Sequence, residues 1–98
     1  MLENYEFKTT FWMDFSIADR FGIAAIKDTF KRAFDEWKNN VEYLTELVIV
    51  LNWKIWDHYE KGHMEIAKVY DSIYWKARDF ALDNLKGDDL NYYYRMTD

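Results

Sequence analysis

No proline interrupts this chain, and each of its three glycines follows a stretch whose apolar residues recur every three or four positions. Such a chain can run as long helices that stop at defined points. Gly22, Gly62 and Gly87 stand where a helix-ending residue adopts a left-handed conformation, and Asn39-Asn40 supplies a fourth break. No proline-, serine- or repeat-rich linker separates these segments. The pattern predicts an all-α fold, a compact bundle of about four helices in a single domain over residues 1–98. Short connections make neighbouring helices antiparallel.

The segment from Ile23 to Lys38 is the most regular. Ile23, Ile26, Phe30, Ala33 and Trp37 form one stripe, and Lys27, Asp28, Lys31, Arg32 and Asp35 occupy the other side. The next segment, Val41 to Lys61, begins at Asn40 as N-cap. Val41, Leu44, Val48, Leu51, Ile55 and Tyr59 make its main stripe, while Ile49, Trp53 and Trp56 lie off it. A helix apolar on more than one side is central in its bundle or contributes to an interface. Met64 to Lys86 repeats the pattern through Ile66, Tyr70, Ile73, Ala77, Phe80, Ala81 and Leu85.

The two ends are less regular. From about Thr10 to Phe21, the residues Phe11, Phe15, Ala18 and Phe21 suit one helix face. Tyr5, Phe7, Phe11, Met13 and Phe15 also alternate as in a strand, but no other segment reads as its partner, so a helix is expected. Ser16-x-x-Asp19 fits a capping box that would start a shorter helix. After Gly87 the chain reads as a short aromatic tail in which Asp88 caps one turn. Tyr92, Tyr93 and Tyr94 are consecutive and must point in several directions.

Charge and motifs narrow the chemistry. The net charge of -5 and the absence of a basic cluster disfavour direct nucleic-acid binding. Ile17-Ala18-Asp19-Arg20-Phe21-Gly22-Ile23 resembles a helix-turn-helix corner, but the following apolar residues are Ile26 and Phe30, the wrong face for it. With no cysteine there is no disulfide, thiolate nucleophile or cysteine-type zinc site. His58 and His63 are five apart with Gly62 between them, unlike a helical zinc pair, and are expected to be solvated or capping. No phosphate-binding glycine loop, calcium loop or serine-nucleophile motif is present. The chain is therefore expected to be no enzyme and to hold no cofactor or metal. The acidic start, Met1 to Glu6, predicts no signal peptide, and the longest apolar run, Leu47 to Leu51, is too short for a membrane span. A cytoplasmic protein is expected.

What remains is the aromatic content, 20% of the sequence. Phe30, Phe34, Trp37 and Phe80 have core positions. Trp12, Trp53, Trp56, Trp75, Tyr92, Tyr93 and Tyr94 either fill a small aromatic core or are exposed, and are the candidate partner-binding residues, because tryptophan and tyrosine are enriched at interface hot spots. Lys54 and Arg95 are candidates for a polar rim or for stacking on rings.

Several stretches, including Asp14 to Gly22, Glu42 to Val48, Leu51 to Trp56 and Ala81 to Gly87, resemble a group of small uncharacterised proteins carried on mobile elements of Gram-positive bacteria. The resemblance implies an intracellular accessory protein of a plasmid, integrative element or phage. The expected function is a non-enzymatic protein-binding module that inhibits or regulates a host protein, as anti-CRISPR proteins do, with a basic or nucleic-acid-binding protein as partner. The alternatives are a homo-oligomer with an aromatic self-association face and a small-ligand-binding bundle.

Overall fold

The computed structural model describes the backbone of residues 2–97 and the side chains of residues 10–97. Its elements are five helices: α1 (Leu2–Asp19), α2 (Ile23–Trp37), α3 (Val41–Glu60), α4 (Met64–Asn84) and α5 (Asp88–Thr97). No strand occurs among the described residues. None of these helices is long and apolar enough to cross a membrane.

α3 is the axis of the bundle. It packs most extensively against α4 and also touches α1, α2 and α5. Trp53 and Trp56 of its second apolar set are exposed, whereas Leu44, Leu47, Val48, Val50, Leu51 and Ile55 point in several directions and are all buried, which accounts for this position. Burying each such side chain stabilises the fold by roughly 1.5–3 kcal/mol. The Asn40 carboxamide oxygen accepts a hydrogen bond from the Tyr43 backbone N–H at 3.1 Å, the expected cap. α2 is joined to α4 by rings: Phe34 stacks on Phe30 at 5.3 Å and meets the Phe80 edge at 5.1 Å. Lys38 lies over Phe34, its Nζ 5.6 Å from the ring centre.

Three sequence expectations change. The first helix begins at Leu2, well before Thr10, so residues with strand-like alternation are helical. The side chains of Tyr5 and Phe7, which contributed to that alternation, lie outside the described ones. Phe11, Phe15 and Ala18 are buried as expected, but Phe21 is 77% exposed. The helix ends at Asp19, and the turn through Gly22 removes Phe21 from the face its spacing suggested.

The tail after Gly87 is a ten-residue helix packed on α3 and α4, making five helices rather than four. Asp88 and Asp89 favour its N-terminus through the helix dipole. Leu90, Tyr93 and Thr97, spaced by three and four, are its less exposed side.

Candidate functional site

The middle of α3 reads Trp53-Lys54-Ile55-Trp56, and the fold turns the charged residue inward. Lys54 is only 2% exposed. Its Nζ donates to Ser16 Oγ at 2.7 Å and to Asp19 Oδ2 at 3.0 Å. It also lies 4.1 Å from the centre of the Trp12 ring. Trp12, Ser16 and Asp19 follow one another at spacings of four and three on α1, so one side of that helix forms the whole receptor for the ammonium group. Ser16-x-x-Asp19 is therefore not a capping box at a helix start. It closes the last turn of α1, and both side chains point at Lys54.

Asp19 gathers two further donors. His58 Nε2 stands 2.9 Å from Oδ2, and the Tyr70 hydroxyl donates to Oδ1 at 2.5 Å. Burial, reinforced by the bond to Asp19 and its charge, pushes the Tyr70 phenol far above its ordinary range, so it stays protonated and donates. The Tyr70 ring also stacks on His58, with centroids 5.4 Å apart.

The second ring nitrogen of His58 finds His63, the two Nδ1 atoms lying 3.1 Å apart. The helix end makes this possible. Gly62 has φ +78°, its N–H bonds to the Tyr59 carbonyl, and the His63 N–H bonds to the His58 carbonyl. This is a Schellman ending, which brings the second residue past the helix back over its last turn. Because the Asp19 carboxylate only accepts, His58 donates from Nε2, and in the neutral pair its Nδ1 accepts from His63. The expectation that both histidines are solvated or capping holds for His63, which is exposed and stands at the N-cap position of α4, and is corrected for His58, which is buried. Five-residue spacing across a glycine was the available signal, because that glycine reverses the chain.

This cluster is a clasp. One carboxylate on α1 holds a lysine and a histidine from α3 and a tyrosine from α4. Removing one partner of a buried ion pair generally costs about 3–5 kcal/mol, because the other charge is left without compensation. Among the described residues, no group of three or more histidines and carboxylates is placed to hold a metal ion.

The opposite side of α3 is aromatic. Trp53, Trp56 and Tyr59 are all exposed, Trp56 most at 60%. Spacings of three keep them on the outer side, where Asn52 and Glu60 are exposed as well. The Trp56 and Tyr59 rings are 5.9 Å apart, and Trp53 meets the half-buried Trp12 edge-on at 6.4 Å. Asp57 stands beside this strip and binds Lys61 at 3.1 Å.

The seven aromatic candidates do not form one surface. Trp53, Trp56, Trp75 and Tyr94 are exposed. Trp12 is half-buried and occupied by Lys54. Trp75, on α4, carries Arg78 over its ring at 4.9 Å. Tyr92 is half-buried, its phenol pushed up by burial and then by Glu42 and Glu46. Tyr93 is 2% exposed and belongs to the core, because α5 packs where a tail was expected.

A second apolar strip is exposed along α1 and the turn that follows it. Met13, Ile17 and Phe21 are spaced by four and all exposed. Ile17 and Phe21 border a groove of about 600 Å³ between α1 and α2, together with Ala25 and Arg32. No protein-family model, curated protein or solved structure matches this chain.

Proposed function

We propose that this protein is a non-enzymatic protein-binding module whose docking surface is the Trp53–Trp56–Tyr59 strip of α3. One observation carries the reading: the helix at the centre of the bundle buries a lysine and leaves three large aromatic rings outside. Exposed apolar patches on a small domain mark interaction sites, and tryptophan and tyrosine dominate interface energetics. The resemblance to mobile-element proteins makes inhibition or regulation of a host protein the role we assign to this surface.

The Trp53→Ala/Trp56→Ala double variant tests the reading. Tagged wild-type protein is expected to capture a specific partner from lysate of a Gram-positive host. The double variant should keep its circular dichroism spectrum and lose that partner, while Phe21→Ser should retain it. Capture unchanged by the double variant removes the reading, as does the absence of any specific partner. Self-association is the second reading, favoured by the exposed Met13, Ile17 and Phe21. A mass by light scattering that rises with concentration and returns to monomer in Phe21→Ser would support it.

A further inference from the structure

We infer that the α3 strip accepts a cationic segment of a protein partner, with arginine side chains stacked on Trp53 and Trp56. The inference rests on the docking reading above and names the chemistry of the occupant. Two of the protein's own tryptophans show the geometry. Lys54 sits over Trp12, and Arg78 sits over Trp75. Among the described residues no cation lies over Trp53, Trp56 or Tyr59. Aromatic faces carry negative potential and attract guanidinium and ammonium groups.

The charges around the strip point the same way. Beside the strip α3 carries Asp57 and Glu60, and its single lysine, Lys54, is buried and bound to Asp19. Lys61, just past the helix, is held by Asp57. Glu60, one residue beyond Tyr59, is exposed. The strip is thus an aromatic surface with an acidic border on a protein of net charge -5. An arginine meets both requirements, because its planar group stacks on indole while its N–H donors reach carboxylates. A second copy of the chain fits less well, because it carries the same net charge of -5.

The test uses the full chain labelled so that its indole N–H signals are resolved by NMR. The probes are a short peptide of alternating glycine and arginine, and its lysine and glutamate counterparts. The arginine peptide is expected to move the Trp53 and Trp56 signals ahead of those of Trp12 and Trp75. Affinity should fall about tenfold or more in Trp53→Ala/Trp56→Ala. Glu60→Lys should weaken binding with the fold intact, and the glutamate peptide should not bind. The cationic assignment is overturned if the arginine peptide leaves Trp53 and Trp56 unmoved, or if the double variant binds it equally. It is also overturned if those signals shift on dilution without peptide, which identifies a second copy as the occupant. Loss of a captured partner in the double variant, with no response to the arginine peptide, preserves the docking surface and rejects the cation.

Discussion

Trp53 and Lys54 are neighbours in sequence and opposites in environment. The tryptophan is exposed, while the lysine is buried beneath another tryptophan and bound to a carboxylate. Helices ordinarily do the reverse. The comparison separates two kinds of demand on one helix. The polar groups around Lys54 are satisfied within the chain, since Lys54, His58 and Tyr70 all reach Asp19. The outer region leaves large apolar surface facing water, which nothing within the described fold covers. Changes on the inside should therefore be read in stability, and changes on the outside in binding.

The largest effect is expected at Asp19. Asp19→Ala strands Lys54 and removes the acceptor of His58 and Tyr70, and should cost about 3–5 kcal/mol in urea unfolding. That is a large part of the roughly 5–15 kcal/mol that stabilises a small domain. Lys54→Met should cost distinctly less, because Asp19 keeps two donors and is less deeply buried than the lysine. Equal losses in the two variants would break the view of Asp19 as the hub.

Gly62→Ala comes next. A Cβ there meets nothing within 4 Å, so the cost is the left-handed backbone alone, about 1–2 kcal/mol. The His58–His63 contact should weaken with it, seen as a change in the histidine ring NMR signals. A further effect follows from pH. Burial pushes the Tyr93 phenol up to about 12, from an ordinary value of 10.0. Between those values the folded state holds a proton that the unfolded state has released. The associated stability is complete below about pH 10 and is lost as pH rises toward 12. Tyr93→Phe should reduce the alkaline slope in denaturant titrations and leave the part that belongs to Tyr70.

The smallest stability change belongs outside. Trp53→Ala/Trp56→Ala should cost distinctly less than Asp19→Ala in unfolding free energy, because much of each ring is already hydrated. A loss comparable to Asp19→Ala would show that the outer rings hold the fold together, and the contrast between the two sides of α3 would fail.

The helical pattern carried the all-α architecture and the central place of α3 legibly, because Ile26, Phe30, Leu44, Leu51, Tyr70 and Ala77 obey helical spacing and are buried together. The last helix was not legible. Three consecutive tyrosines have no periodicity, and only docking on α3 and α4 selects Tyr93 for burial. The clasp was visible only in fragments. In the sequence, Ser16-x-x-Asp19 and the His58–His63 pair are visible only as local motifs. Their partners lie far along the chain, and local spacing contains no signal for a lysine buried among apolar neighbours. The aromatic reading meets a similar limit. Periodicity showed that Trp53 and Trp56 lie off the main stripe, but it could not show that the chain's own Lys54 and Arg78 already occupy Trp12 and Trp75.

The clasp also bears on the order in which the molecule assembles. Asp19 meets Lys54, His58 and Tyr70 across 35, 39 and 51 residues of chain. Each contact closes a long loop, whereas helix formation and the α3–α4 turn need only neighbours. The carboxylate gains from leaving water only when its donors have arrived, so its bonds belong to the final stage of folding. Asp19→Ala should accordingly speed unfolding and leave the refolding rate almost unchanged, which makes the clasp a latch on the native state rather than a guide toward it.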